Sequence, residues 1–277
     1  MSVQQIAEKT SRWRDIFIGQ GTILKNVGTS LLVLISLFLL WQILAMIIGS
    51  VFFPKPTKVF EVFMLLNTKG DFNKLRLSTH IYWSLLRVIA GFGLGCITAI
   101  PLGLLTGLYP FFYRTIKVLI EPLRFISPIA WVPLTIVLMS GFSRYMFLIW
   151  LGAFFPIWVN TMVSVPRVNP VYINVVKVYG AKREEIIRKV IWPSILPDIF
   201  AGMRIGLGVG WMCIVAAEMV GGEFTGVGRL ILKYAELLKL PEVLVGMVTI
   251  GILGYLMNEI LLRIEKRLFK WRAVIAM

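Results

Sequence analysis

The sequence predicts an all-α integral membrane protein with six transmembrane helices. Hydrophobic residues make up 58% of the chain and charged residues 16%, whereas about a quarter of the residues in soluble domains are charged. Several apolar windows exceed the roughly 18 residues that mark a helix able to cross a bilayer. The 24 glycines fit the same class, because glycine is more frequent in membrane helices than in soluble ones.

Six long apolar segments give the predicted spans. They are 29–53, 84–108, 116–139, 145–165, 199–220 and 243–262. The first is too long for a cleaved secretory signal, so we interpret it as a retained span. The amphipathic segment 226–238 predicts a helix that lies at the membrane interface. The chain therefore divides into a polar segment 1–28, a transmembrane domain 29–262 and a basic tail 263–277.

Glycine and proline determine how these spans pack and bend. Glycines recur at helical spacing on one face of the second span and of the fifth, which predicts close helix–helix contact. These are Gly91, Gly95, Gly103 and Gly107, and Gly202, Gly206 and Gly210. Pro122, Pro128 and Pro133 interrupt the third apolar segment, because proline lacks the N–H that a helix interior needs. The third span is therefore predicted to be broken or bent.

The distribution of basic residues predicts that both termini are cytoplasmic. The net charge is +15, and the segments 1–28, 109–117, 166–197 and 263–277 together contain 17 Lys and Arg, whereas the segments on the opposite side of the membrane contain nine. The positive-inside rule assigns such segments to the cytoplasm. In this arrangement 54–83 is an outer loop, although it is also basic. A charge of this size suggests nucleic-acid binding in a soluble protein, but here topology explains it.

The motifs of several enzyme classes are absent from the sequence. There is one histidine, His80, and the two cysteines, Cys96 and Cys213, lie inside apolar runs. We find no phosphate-binding loop, no zinc-protease motif and no nucleophile elbow. The glycines at 206, 208 and 210 lie in a span without a preceding strand, so helix packing explains them better than nucleotide binding. If ATP powers this protein, another polypeptide must hydrolyse it.

A polar, basic loop at 166–197 interrupts the apolar sequence. It contains a predicted hinge at Gly180 and an amphipathic helical piece at 182–190, and we expect Pro193 and Pro197 to stop that helix before the fifth span. An ordinary positive-inside loop is the alternative. A structured loop of this kind predicts contact with a cytosolic partner.

The spacing within this loop resembles the EAA---G---------I-LP motif of the permeases of binding-protein-dependent ABC importers. Gly180 falls on the motif's glycine, Val190 on its isoleucine, and Trp192-Pro193 on its Leu-Pro, while the glutamate of the triplet is missing. Several flanking segments extend the resemblance. They are SLLRV at 84–88, PLGL at 101–104, AWVPL at 130–134, LGAFFP at 151–156, YGA at 179–181, GMRIG at 202–206 and AAEM at 216–219. Together they resemble the branch that serves taurine, sulfonates, nitrate and bicarbonate, and most of all the cyanobacterial nitrate/nitrite permeases.

The resemblance implies a type I ABC importer permease fold in the bacterial inner membrane. It implies a second permease subunit, most simply an identical copy, two ATP-binding subunits and a periplasmic or lipid-anchored substrate-binding protein. ATP and Mg²⁺ then belong to the partners, and this chain binds no cofactor or metal. The loop residues expected to couple to the ATPase are Gly180, Ala181, Lys182, Arg183, Glu184, Glu185, Ile186, Ile187 and Pro193.

Charged and aromatic residues in the spans are candidates for the translocation path. They are Arg87, Arg124, Trp131, Phe154, Phe155, Arg204, Trp211 and Glu218. A charge at mid-membrane costs at least about 2.5–3.5 kcal/mol, so each needs a partner or water. The arginines attract an anion in one interpretation. In the other they are structural, through Glu121–Arg124 and Arg204–Glu218 pairs or by reaching the interfaces, and the aromatics pack.

The predicted function is import of a small anion, with nitrate or nitrite the leading substrate. Bicarbonate and sulfonate or taurine are the alternatives within the branch. An ion-coupled secondary transporter is an alternative of another class, but the inverted repeats or charge relay that it predicts are not visible. An intramembrane enzyme lacks a catalytic constellation.

Overall fold

The computed structural model describes residues 28–29 and 31–269, and this part of the chain is helical without strands. It divides between Val62 and Phe63 into two compact units. The first contains α1, Leu31–Ile48, and the beginning of α2, Pro56–Thr68. α1 is an 18-residue apolar helix, long enough to span a membrane. The predicted segment 1–28, except for its last residue, and most of the basic tail lie outside the described residues.

The second unit contains the remaining helices. They are α3 (Leu77–Leu108), α4 (Pro110–Phe125), α5 (Val132–Leu138), α6 (Phe142–Ser164), α7 (Pro170–Val178), α8 (Arg183–Ile186), α9 (Trp192–Val220), α10 (Val227–Glu236) and α11 (Leu240–Leu268). Five helical segments of the described chain are long and apolar enough to cross a membrane, and the bent pair formed by α4 and α5 makes a sixth. The predicted number of spans is therefore supported.

Helices α3, α6 and α9 pack against one another through their glycine faces, as predicted. A methyl group on Gly95 would lie 3.1 Å from the Cβ of Ala153 on α6. A methyl group on Gly206 of α9 would lie 2.9 Å from the carbonyl oxygen of Ala153. Both helices therefore approach the α6 backbone closely at Ala153, where a larger side chain would hold the helices apart.

The third predicted span is broken, which confirms the proline-based prediction. α4 ends at Phe125, a short 3₁₀ turn covers Pro128–Trp131, and α5 then runs at 87° to α4. Pro128 begins the 3₁₀ turn, where a missing N–H has no acceptor to lose. Irregular backbone lies at Ile126 and Ser127, between the two halves of the span.

The expected stop between the loop and the fifth span is wrong. α8, a π-helical segment Ile187–Ile191 and α9 follow one another without a break, so the helical stretch extends from Arg183 to Val220. Pro193 lies in the first turn of α9, where proline is tolerated, and Pro197 lies inside the helix. The π-helical turn shifts the hydrogen-bond register just before the prolines. The loop helix is thus joined directly to the span.

α10 corresponds to the predicted amphipathic segment. Its apolar face is buried against α9 and α11, with Leu230, Ile231 and Tyr234 among the buried side chains. Gly246 of α11 meets Ile231, where an added methyl group would lie 2.4 Å from the isoleucine side chain. Its amphipathic pattern is therefore used, at least in part, for packing between helices.

Candidate functional site

The loop between α6 and α9 is a fixed structure with a capped helix. Asn169 caps α7 at its start, where its side chain accepts a hydrogen bond of 2.9 Å from the Val171 N–H, and Pro170 is the first helical residue. At the end of α7, Ala181 N–H donates to Val176 O and Gly180 N–H donates to Lys177 O. This pair of bonds is a Schellman motif, which requires a residue of positive φ. Gly180 supplies it with φ +78°.

α7 exposes a continuous apolar face. Val178 and Tyr179 at its end are 86% and 87% exposed, and the rest of the face is more than half or about half exposed. The face consists of Val171, Tyr172, Val175, Val178 and Tyr179. We call these five residues the α7 face. Exposed apolar patches of this kind mark interaction surfaces.

The predicted coupling residues surround this helix turn but differ in exposure. Gly180, Lys182, Arg183 and Glu184 are exposed, while Ala181, Glu185, Ile187 and Pro193 are partly buried. Ile186 is only 8% exposed and packs with Val165, Ile191 and Ile195. Ile186 therefore anchors α8 to the ends of the spans and does not present an apolar contact outward.

The sequence analysis missed the α7 face. Val171, Val175 and Val178 recur at i, i+4 and i+7, which is the spacing of a helix face. This spacing is visible in the sequence, but only Asn174, Val175 and Val176 were considered there, as the counterpart of the family's triplet, and the helix face was not predicted.

A buried ionic cluster joins the start of α3 to the other end of α9. Arg87 Nη1 donates to Glu218 Oε1 at 2.8 Å and to Thr225 O at 2.9 Å, and its Nη2 donates to Glu223 Oε2 at 2.6 Å. Ser84 Oγ donates to Glu218 at 2.8 Å. The side chains of Arg87 and Glu218 are each 1% exposed. We call Ser84, Arg87, Glu218, Glu223 and Thr225 the Arg87 cluster.

The turn before α10 completes the coordination of Glu218. The Gly228 N–H donates to Glu218 Oε2 at 3.0 Å, and the Val227 N–H donates to Ser84 Oγ at 3.0 Å. Gly226 lies so close to the carboxylate that an added methyl group would be 2.4 Å from Glu218 Cδ. The carboxylate is therefore enclosed by backbone and side-chain donors, as a buried charge requires.

His80 continues this polar region toward the loop before α3. Its Nδ1 lies 3.1 Å from the Gly226 nitrogen, and its Nε2 lies 3.5 Å from Asp71 Oδ2. His80 is 1% exposed. Among the described residues, no group of three His, Cys, Asp or Glu side chains could hold a metal ion. This histidine therefore ties α3 to the turn before α10.

The expected Arg204–Glu218 pair is wrong, because the two residues have different partners. Arg204 Nη2 is bonded to Glu265 of α11, whereas Glu218 is bonded to Arg87. Glu121 accepts a hydrogen bond of 2.9 Å from the Tyr113 hydroxyl, and no Glu121–Arg124 ion pair forms among the described residues. Arg87 does not reach an interface, since its side chain is buried.

A cavity of about 320 Å³ lies beside the break in the third span. Arg124, Ile126 and Pro128 of the broken region form one side, and α6 and α9 form the others. The lining from α6 and α9 is Leu151, Gly152, Phe155, Pro156, Val159, Asn160, Ile205 and Val209. We call this space the break cavity. It brings together two of the predicted path residues, Arg124 and Phe155.

The other aromatic candidates are used in packing. Phe154 is 8% exposed, and its ring stacks on Trp158 at a centroid distance of 6.4 Å. Trp131 makes an edge contact with Phe147, and Trp211 is buried with its Nε1 donating to Ile250 O at 3.2 Å. These contacts support the helix bundle around the cavity.

Long apolar helices packed through glycine contacts, with a broken span beside a cavity, define a multi-pass helical membrane protein. The family model described as the binding-protein-dependent transport system inner membrane component matches residues 99–272, more than half of the chain. The chain belongs to this family.

Relatives specify the branch within the family. A putative ABC transporter permease of Methanocaldococcus jannaschii is 38% identical over 84% of this chain and 88% of its own length. The taurine transport system permease TauC of Escherichia coli is 30% identical over 97% of this chain and 96% of its own length. The nitrate import permease NrtB of Synechocystis is 33% identical over 83% of this chain and 84% of its own length. The chain is thus an ABC importer permease of this branch.

A solved structure agrees with the fold. The inward-facing MetNI methionine ABC transporter matches with a TM-score of 0.62, at 22% identity, over 69% of this chain and 95% of that chain. Permeases of this family work with ATP-binding subunits and a substrate-binding protein, so ATP hydrolysis lies in separate subunits and this chain is not an enzyme.

Proposed function

We propose that this chain forms the translocation path of an ATP-driven importer for a small anion, with nitrate or nitrite as the leading substrate. The nitrate relative and the flanking segments that resemble nitrate permeases support this choice. Bicarbonate and taurine or another sulfonate are the alternatives, because relatives named for these substrates are also similar. The common chemistry is a small anion that carries several oxygens.

The α7 face carries the proposal that an ATPase subunit docks on the loop. Two side chains more than 80% exposed, Val178 and Tyr179, stand at the end of a capped helix whose position is fixed by the Gly180 turn. Loops are normally polar, so burial of this apolar surface in a complex is favourable. Lys182, Arg183 and Glu184 beside the turn supply charged contacts at the rim of the same surface.

The joined helix supports a mechanism for coupling. Because α8, the π-helical turn and α9 are continuous, a displacement of the loop is passed directly to the span that carries Gly206 and Arg204. Ile186 and Ile195 pack the two parts together. Closure of the ATPase then tilts α9 as a rigid body, which is how a two-state access switch operates.

The proposed assembly contains a second copy of this chain, two ATP-binding subunits and a substrate-binding protein. In it the loop 166–197 and both termini face the cytoplasm of a bacterium, and the protein lies in the inner membrane. The break cavity belongs to the path, while the Arg87 cluster and the buried aromatics hold the bundle that surrounds it. ATP and Mg²⁺ are bound by the ATPase subunits.

Co-purification with the ATPase tests the docking surface. Tyr179→Glu, alone or with Val178→Glu, places charge in the apolar contact, and we expect the ATPase to be lost from the purified complex. Phe224→Glu is the matched control, because Phe224 is also an exposed aromatic residue, at 67%, but lies at the other end of α9. Retention of the ATPase by the Tyr179 variant at the level of the control would overturn the proposed docking.

Uptake by the assembled importer tests the substrate. Proteoliposomes that contain the complete complex should take up labelled nitrate on addition of ATP and binding protein, and unlabelled nitrite should compete. Uptake of bicarbonate or taurine without uptake of nitrate would show that the substrate is another anion of the same branch. Uptake driven by an ion gradient without ATP would show a secondary transporter instead.

A further inference from the structure

Arg87, Arg124 and Arg204, the three arginines predicted to lie on the path, differ in whether a carboxylate neutralises them. Arg87 contacts two carboxylates, and Arg204 is paired with Glu265. Arg124 forms no ion pair with a described residue, and its guanidinium lies 5.1 Å from the ring of its neighbour Phe125. Of these three arginines, Arg124 is therefore the one whose charge no described carboxylate neutralises.

The position of Arg124 requires a polar environment. It stands at the end of α4, directly before the irregular backbone at Ile126 and Ser127 that separates the two halves of the broken span. A charge within the hydrocarbon region is costly, and irregular backbone there is tolerated only against protein or a water-filled cavity. An aqueous space beside this segment would satisfy both conditions.

The break cavity is such a space, and its lining suits an oxyanion. Among the described residues that line it, Arg124 is the only charged one, and none is a carboxylate that would repel an anion. Asn160 adds an amide whose Nδ2 already donates to Pro156 O at 2.8 Å, which holds the side chain in place. The remaining lining is apolar or aromatic, which strengthens the interaction of a charge with the guanidinium. At roughly 30 Å³ per water, the volume holds about ten water molecules, enough for a small hydrated anion.

We infer that the break cavity is a substrate-contact site in which the Arg124 guanidinium donates two parallel hydrogen bonds to two oxygens of a small oxyanion. A guanidinium matches such oxygens in a forked geometry that lysine cannot reproduce. The site rests on the proposed function, since it assumes that the cargo is an anion. With a single cation and an apolar lining, it holds its ligand weakly enough to release it, as a transport site must.

The test uses the complete importer in proteoliposomes with nitrate as the probe. Arg124→Gln removes the charge, and we expect uptake at subsaturating nitrate to fall about 10-fold or more, as for loss of a hydrogen-bonded charge. Arg124→Lys should recover part of that loss. Arg114→Gln is the matched control, because it removes an exposed arginine from the same helix outside the cavity.

A second variant keeps the inference testable if Arg124→Gln does not assemble. Asn160→Asp keeps the side-chain shape but places a carboxylate in the cavity, which should repel nitrate and raise the apparent KM for transport. The basal ATPase activity of the assembled complex should stay unchanged in the control Arg114→Gln, because Arg114 lies outside the cavity. Uptake by Arg124→Gln and Asn160→Asp at the rate of Arg114→Gln would overturn the inference.

The wild-type importer distinguishes failure of the inference from failure of the proposed function. If the wild type transports nitrate and the cavity variants do so equally well, the site is wrong and the function stands. If the wild type transports bicarbonate or taurine instead, the same variants measured with that anion decide the site. If the wild type transports no anion, both the function and the site are overturned.

Discussion

Replacing both members of the Arg87–Glu218 pair should cost less stability than the two single replacements together. The two side chains are each 1% exposed, and Nη1 and Oε1 are 2.8 Å apart. Removing one partner of a buried ion pair costs about 3–5 kcal/mol, because the other charge stays buried without its counter-ion. Glu218→Leu also leaves the Ser84 hydroxyl and the Gly228 N–H without their acceptor. We therefore expect this single replacement to cost about 3–5 kcal/mol of unfolding free energy.

The double replacement Arg87→Met with Glu218→Leu removes both charges. An apolar pair of similar volume often replaces a buried ion pair at little cost, so the double variant should be more stable than the sum of the single variants predicts. We expect a coupling energy of about 2–3 kcal/mol, at the upper end of values for contacting residues. Glu223, which also contacts Arg87, is 36% exposed and can turn to water in the variant.

Equilibrium unfolding in mixed detergent micelles measures all four corners of this double-mutant cycle. The exposed pair Arg263–Glu259, with N and O 3.0 Å apart, is the control, and its coupling should be about 0–1 kcal/mol. Additivity of the Arg87 and Glu218 replacements within about 0.5 kcal/mol would refute the reasoning. So would a coupling energy no larger than that of the control pair.

Two further predictions concern glycines that are needed for different reasons, Gly180 for its positive φ and Gly206 for its close contact with α6. Gly180→Ala should weaken ATP-driven uptake and hydrogen-exchange protection at the end of α7, because φ +78° costs an L-residue about 1–2 kcal/mol. Gly180→Asn should have a milder effect, because asparagine tolerates this backbone region. Equal protection in the wild type and in Gly180→Ala would contradict this prediction. Gly206→Ala should lower the unfolding free energy by about 1–3 kcal/mol, since its methyl group would be 2.9 Å from the Ala153 oxygen. Gly208→Ala has open space and should be neutral or slightly stabilising, so equal effects at the two positions would exclude the packing explanation.

Patterns local in sequence predicted much of the fold. The apolar segments gave the spans, Pro128 gave the break in the third span, and the spacing of Gly95 and Gly206 gave the faces that meet α6. Hydrophobic length, helix-breaking residues and small-residue spacing act within one or two turns, so a reader of the sequence sees them directly. The loop was located by the same means, although the exposed apolar face of α7 within it was not predicted.

The helix boundary between the loop and α9 could be determined only from the structure, because a proline does not always end a helix. Pro193 predicted the end of a helix, but it follows the π-helical segment Ile187–Ile191, whose shifted register lets the helix continue through it. The π-helical turn that precedes it depends on how Ile186 and Ile191 pack against the spans. The sequence pattern does not specify that packing, so it could not show whether the helix ends at Pro193 or continues through it.

The sequence by itself determined the family's helical frame, the glycine contacts and the presence of a structured loop. Only the tertiary structure decided which charges are neutralised. Glu218 pairs with Arg87, 131 residues away, and not with Arg204, whose partner is Glu265. A helix fixes neighbours three or four residues apart, but the register between packed helices decides partners over such distances. In this register Arg124 lines the break cavity and forms no ion pair with a described residue.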